Sequence, residues 1–437
     1  MEIKFCGANK CVTGSCHLLK INNKQILLDC GKFQGEDEKI GNNEEFIFNP
    51  KEISLVILSH THIDHSGRIM LLYQRGFTGK VICTKATVDL CKIILEQNEE
   101  LSKKEIESYL DKFEGYDYNQ VIKIDDKIQL VFKDAGHMLG SAICELNIKE
   151  NNKNTKLIYS GDLGNLDLPL VKDPEKIYSG DYLILESTYG DRVHKIKRNE
   201  FAKLIDIIKD ITEKQGNVLI PAFSLGRTQE ILYTLNKFIE KEKLKVKVYV
   251  DSPLASKITE VFENNFEYFD KQAKKYIEQN DNPLDFKNLH FTNCIEESKE
   301  LKNLKGVVII AASGDCNKGR IIHHIKNNIE DENSAIVFVC SQGKKTLGRE
   351  ILEGKEEVTI LGETLDVKSK IYNLQSLSGH GDCETIKGWI DNFLEKPKKI
   401  YLVHGEENVL SKFKENLEKG GYSVKIPNYG ECEIIDS

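Results

Sequence analysis

Nowhere in this 437-residue sequence does an apolar run approach the roughly 20 residues that a helix needs to cross a bilayer. Its opening, MEIKFCGANK, lacks the basic-then-apolar layout of a secretion signal, so a cytoplasmic, full-length chain is expected. Among the 12 cysteines, which include Cys6, Cys11, Cys16, Cys30, Cys83, Cys91 and Cys144, no C-x-x-C pair occurs. That argues against a zinc ribbon or a thioredoxin-like centre and leaves reduced thiols acting as small buried hydrophobes. An excess of positive charge is missing too: the formal net charge is −8. A protein that coats nucleic acid must neutralise phosphates along its surface, which this balance disfavours. An enzyme needs only a local cationic cleft, and metal ions supply part of that charge. There is no internal repeat and no low-complexity linker, and the charged run EKEKLKVK reads as a solvated helix end. What remains is ordinary for a globular protein, 40% hydrophobic and 30% charged, at a length that suggests two domains.

Short β-rich runs come first. EIKFCGAN, SCHLLKI and QILLDCG form an expected meander, with Asn22-Asn23 as the turn between the second and third. SLVILSH is a continuous apolar strand of the kind covered on both faces. One or two helices are expected from about Thr84 to Phe113, then strands at IQLVF, SAICELNI and KLIYSGD. From about Tyr182 the pattern changes to apolar strands (DYLILES, GNVLIPAF, VKVYVDSP, KGVVIIAAS, SAIVFVCS) separated by helical stretches such as EFAKLIDIIKDITEKQ and RTQEILYTLNKFIEKEK. That alternation implies a mostly parallel sheet. The last segment returns to short strands and one amphipathic helix, ETIKGWIDNFLEK, followed by KKIYLVHGE.

Histidine placement carries the chemistry. Of 11 histidines, three fall in SHTHIDH directly after an apolar strand: His60, His62 and His65, with Asp64 between the last two. Alternate residues of extended chain point to one side, so His60 and His62 can grip one metal while Asp64 and His65 turn toward a second. Imidazole and carboxylate donors suit zinc. His137 in KDAGHMLGSA and Asp162 in IYSGDLGN sit at further strand ends, and a carboxylate flanked by glycines there can bridge two metals.

These segments resemble a known family. SHTHIDHSG, GHMLGSA and SGDLG look like motifs two, three and four of the metallo-β-lactamase superfamily, and LLDCG, with Asp29, looks like motif one. LILESTYG, SLSGHGD and YLVHGE resemble motifs A, B and C of the β-CASP branch through Glu186, His380 and His404. PAFSLGRTQE, DSPLAS, SGDCNKGR and TLGRE match its connecting landmarks, so the likeness runs from Gly7 to about Glu406. It is similar to the compact bacterial and archaeal relatives of the cleavage and polyadenylation specificity factor nuclease, and is related to RNase J. The resemblance implies an α/β fold: a metallo-β-lactamase αββα sandwich over 1–186 and 376–437, interrupted by a β-CASP domain over 187–375. It also implies two zinc ions, one on His60, His62, His137 and Asp162, the other on Asp64, His65, His404 and the shared Asp162. Asp29 would orient that site by hydrogen bonding. His380 and Asp162 would line one cleft between the domains.

The implied activity is hydrolysis of RNA phosphodiesters by a metal-activated hydroxide. His380 would protonate the leaving oxygen, Glu186 would hold its tautomer, and Asp64 would act beside them. Phosphate contacts are expected from Arg227, Arg320 and Arg349, each in a Gly-Arg pair opening a predicted helix, and from Ser376, Ser378 and Gly379. A histidine at motif C, as His404, resembles the RNA-acting members; DNA-acting ones carry an aliphatic residue. Two departures stand out: Asp315 replaces the usual methionine of SGM, and Gly379 the alanine of SAH. Single-stranded RNA is the expected partner, with no membrane and a possible homodimer. Two other readings are a thioester or lactam hydrolase on the same core, against which the inserted domain argues, and a non-catalytic RNA-processing partner, against which the full ligand set argues.

Overall fold

The structure, a computed structural model, describes residues 1–98, 100–194, 197–242, 244–340, 342–343, 345–374 and 378–435, with the backbone alone for 197–199 and 240–242. The chain divides into two compact units, Met1–Val193 with His380–Ser437, and His194–Gly379. The first unit therefore keeps 187–193, which the motif pattern assigns to the insertion. Ser187 N donates to His404 O, Tyr189 bridges to Asp382, and Cys383 N donates to Arg192 O, so backbone bonds tie that stretch to the returning segment.

In the first unit, two seven-stranded sheets face each other. One begins as an antiparallel meander, Glu2–Phe5, His17–Ile21 and Lys24–Leu28, whose second turn is Asn22-Asn23 as expected. Both asparagines have positive φ, 46° and 69°, the geometry a two-residue hairpin with the strands' own twist requires. Ile53–Ile57, Lys80–Thr84 and Phe113–Tyr116 continue this sheet in parallel. The other sheet runs antiparallel through Val121–Lys123, Ile128–Asp134, Ala142–Glu150 and Lys153–Tyr159, then parallel through Tyr182–Leu185, Lys399–Leu402 and Val424–Lys425. Between the sheets lies a core that includes Phe5, Leu19, Leu28, Phe132, Leu146 and Tyr401. Each such side chain contributes about 1.5–3 kcal/mol by leaving water.

Helices cover both outer faces. The stretch from Thr84 resolves into two, Lys85–Leu95, capped by the Thr84 hydroxyl, and Lys103–Leu110, opened by a Ser102–Glu105 capping box. They bury Cys91, Leu95, Ile106 and Leu110 against the first sheet. On the second sheet lie Cys383–Ile390 and Glu407–Lys419, the latter absent from the sequence reading. All twelve cysteines are free, and only Cys294, Cys383 and Cys432 reach the surface.

The second unit is built on a six-stranded parallel sheet, ordered Leu289–Phe291, Lys247–Asp251, Val307–Ala311, Val218–Pro221, Ala335–Phe338, Lys370–Asn373. Its central strands are buried along their whole length, which is why they read as continuous apolar runs. Among the described residues no helix is long and apolar enough to cross a membrane.

Candidate metal centre

The candidate ligands sit on loops that leave strand ends of the first unit. After Ile53–Ile57 the chain passes Ser59 and His60 and enters the short helix Ile63–Ser66, which carries Asp64 and His65 in one turn. The loops can close on one another because glycines face backbone at the contacts. A Cβ on Gly31 would stand 1.6 Å from Asp64 O, and one on Gly164 would stand 1.8 Å from Gly136 O, beside His137. Asp29 and His404 both leave their strands with positive φ, 58° and 54°, a sparsely populated geometry for non-glycine residues that clusters at functional sites.

Two groups of donors meet at Asp162. His60 Nε2 is 3.0 Å from His62 Nδ1 and 3.5 Å from Asp162 Oδ2; His137 Nε2 is 3.2 Å from the same His62 nitrogen and 3.7 Å from Asp162 Oδ2. On the other side, Asp162 Oδ1 lies 3.2 Å from His65 Nε2 and 3.6 Å from His404 Nε2. Those two nitrogens are 3.2 Å apart, and Asp64 Oδ2 is 3.3 Å from His404 Nε2. A four-coordinate cation with bonds of about 2.0–2.1 Å has ligand–ligand edges of about 3.4 Å. The distances on both sides fall around that edge, so each group can hold a metal ion. Asp162 Oδ1 is buried and makes no well-directed hydrogen bond among the described residues, as a ligand oxygen would.

Hydrogen bonds behind the donors fix which ring nitrogen is free. A carboxylate only accepts, so the 2.7 Å contact of His65 Nδ1 with Asp29 Oδ2 puts a proton on Nδ1 and makes Nε2, 3.2 Å from Asp162 Oδ1, the nitrogen a metal ion would take. Asp29 also accepts from Ser59 N (2.6 Å), Ser59 Oγ (2.7 Å) and Tyr159 OH (2.6 Å). Ser59 has thereby spent its one proton, so at 3.0 Å its oxygen accepts from His60 Nδ1, leaving Nε2 of that ring bare. Thr188 Oγ1 stands 2.9 Å from His404 Nδ1. Ser59, Tyr159 and Thr188 escaped the sequence reading, for a hydroxyl gains this role only through partners distant in the chain.

Burial pulls His60 down and His62 to about 4, so both rings stay neutral and able to coordinate. For His65 burial acts downward too, but Asp162, Asp64 and Asp29 outweigh it and hold the ring well above its ordinary value. Asp162 is the converse: burial acts upward, and His404, His65 and His60 overcome it.

Beside this centre, Glu186 is buried and accepts from Leu163 N (2.9 Å) and Thr188 N (3.0 Å), with Oε1 3.3 Å from His380 Nδ1. His380 Nδ1 lies 3.9 Å from Asp162 Oδ2, and its side chain is 21% exposed. Burial works to lower His380, but Glu186 and then Asp162 and Asp64 bring it to about 9. His380 thus belongs to the same unit as Asp162. The residues expected to contact phosphate fall outside the first unit or outside the described residues. In the second unit Arg227 pairs with Glu230, Arg320 with Asp251 (2.6 Å) and Arg349 with Glu353 (2.6 Å). Ser378 and Gly379 also fall in that unit, and Ser376 lies outside the described residues. Asp315 accepts from Ser313 Oγ within its own loop.

Residues 18–164 match the metallo-beta-lactamase superfamily domain, 228–351 the Beta-Casp domain, and 364–427 the Zn-dependent metallo-hydrolase RNA specificity domain. The chain is 34% identical to "Ribonuclease TTHA0252" of Thermus thermophilus, over 99% of each chain. It is 30% identical to "Transcription termination factor FttA" of Methanocaldococcus jannaschii, covering 96% of this chain and 69% of that one. An "RNase J-like protein" of the same archaeon is 29% identical over 98% and 97%. A solved structure of a protein of unknown function from Enterococcus faecalis V583 covers 99% of both chains with a TM-score of 0.63 at 13% identity, a likeness of fold alone. With these matches and this arrangement of histidines and aspartates, the chain belongs to the β-CASP ribonuclease family of the metallo-β-lactamase superfamily.

Proposed function

We propose that this protein is a cytoplasmic zinc-dependent ribonuclease that holds two metal ions, one on His60, His62, His137 and Asp162, the other on Asp64, His65, His404 and Asp162. The observation that carries the reading is Asp162, whose two oxygens turn to two different donor groups. When bound, such ions supply hydroxide near neutral pH and neutralise phosphate oxygens. The chain's own residues do the rest. Asp29 holds His65 in the coordinating tautomer, and Ser59 does the same for His60. Glu186 accepts from His380 Nδ1, which leaves Nε2 to carry the proton that the departing sugar oxygen needs. The Glu186 carboxylate also raises the ring, which favours the protonated state a general acid must start from. RNA as substrate is supported by the RNA specificity domain match and by the names of the relatives.

The test is elemental analysis joined to a cleavage assay. Zinc-loaded protein should contain about two equivalents and cut single-stranded RNA but not matching DNA. Presenting the RNA with a 5′-monophosphate or a 5′-hydroxyl separates internal cutting from 5′-end decay. Two bound zincs with every nucleic acid left intact would overturn the reading in favour of a small-molecule hydrolase.

A further inference from the structure

We propose that Arg192, stacked on Tyr189, docks the RNA phosphate next to the scissile one, on the side of His380. The proposal rests on the ribonuclease reading and gives that site a substrate contact. Tyr189 stands edge-on to the His380 ring, centroids 6.0 Å apart at 71°. The Arg192 guanidinium lies over the other aromatic partner, 5.2 Å from the Tyr189 centroid. The three groups thus lead outward from His380 to a side chain that is 55% exposed. Backbone bonds hold the same order: Tyr189 bridges to Asp382, and Cys383 N donates to Arg192 O at 3.1 Å, so Arg192 is anchored to the loop that carries His380.

The guanidinium is held but not used up. Nε donates to Asp191 Oδ1 at 2.9 Å, and neither Nη group has an acceptor among the described residues. Asp191 is itself shared with Lys412, 3.5 Å away, so it does not cancel the arginine alone. A plain ion pair between neighbouring side chains would explain the Nε bond. It would not explain a planar cation fixed on one face by an aromatic ring with its two-pronged edge left over. That edge matches two oxygens of a phosphate, and a side chain already ordered on two sides loses little freedom when it binds.

The experiment uses an RNA oligonucleotide cut at one site and a series of analogues, each carrying one uncharged methylphosphonate linkage. Arg192→Ala should raise KM about ten- to a hundredfold with little change in kcat. Wild-type protein should lose the same factor on one analogue, with its neutral linkage beside the scissile bond, and Arg192→Ala should lose nothing more there. Zinc content and the melting transition should match wild type. Arg192→Gln, which keeps a polar side chain without the charge or the guanidinium fork, should repeat the pattern. A wild-type KM in either variant, or variants as sensitive as wild type at every linkage, would overturn the proposal while the nuclease reading stands. A wild-type protein that cuts no RNA would overturn both.

Discussion

Replacing Asp29 by asparagine changes almost no volume and yet sets donor against donor. The carboxylate accepts four hydrogen bonds, one at Oδ1 from Ser59 N and three at Oδ2 from Ser59 Oγ, His65 Nδ1 and Tyr159 OH. An amide nitrogen in the Oδ2 place would face all three donors, so the side chain will turn its oxygen there and point its NH2 at the Ser59 N–H. One buried backbone donor is then left unpaired, and three bonds lose the help of a full negative charge. Together these cost about 2–5 kcal/mol. The only tryptophan, Trp389, is buried in the first unit, so its fluorescence follows that unit. For a unit of this size, metal-free Asp29→Asn should melt on the order of 10 °C below metal-free wild type. The bond that fixes the His65 tautomer also passes from a full carboxylate to a neutral amide oxygen, and chelator competition should show metal binding weakened about 10–100-fold. Equal melting and equal metal affinity in the two proteins would refute the claim that Asp29 holds His65.

His380→Ala should cut turnover about 10²–10⁴-fold at unchanged zinc content, and an unaltered rate would remove that ring from the chemistry. Glu186→Gln withdraws a charge that raises His380, so the alkaline limb of the pH–rate profile should move down by about one unit or more. Asp134 is raised by burial to about 7. The folded state alone keeps that proton between about pH 4 and 7, so wild-type stability falls across this range, by at most about 4 kcal/mol. Asp134→Asn, which can still accept from Gly136 N, should therefore melt well above wild type at pH 8 and close to it at pH 4.5, followed by Trp389 fluorescence. In the second unit, buried Asp251 accepts from His324 Nε2, Ser298 Oγ, Arg320 Nη1 and Thr292 Oγ1. Asp251→Ala strands these donors at a cost of about 3–5 kcal/mol, and limited proteolysis should show new cleavage within 194–379 before any change in Trp389 emission.

What could be read from the sequence was what short stretches of chain determine. His60, His62, Asp64 and His65 announced themselves because one strand end and one helical turn place all four. Strands such as Val307–Ala311 were plain because burial on both faces leaves no polar position. The hydroxyls behind the donors were hidden, since Thr188 meets His404 across 216 positions of chain. The hairpin Glu357–Ile360 with Glu363–Asp366 was harder to see for a local reason: its turn is Leu361-Gly362, and with leucine at φ 52° only the glycine at φ 83° signals it. Glu407–Lys419 was the reverse case, a helix whose apolar stripe of Val409, Leu410, Phe413 and Leu417 was present but overlooked beside the motif ahead of it. The edge of the insertion was set by backbone bonds to a segment nearly two hundred residues later, as from Tyr189 to Asp382, which no local pattern encodes.

The separation of His65 from His404 also sets a clock. The two nitrogens that stand 3.2 Å apart belong to residues 339 positions distant. A ribosome adding about 5–20 residues per second needs about 17–70 s to travel from one to the other. Throughout that interval the first histidines exist without their counterpart, and the whole second unit is made before His380 and His404 emerge. A growing chain therefore carries an incomplete centre past the very messenger that encodes it. A product truncated anywhere inside the insertion likewise lacks both His380 and His404.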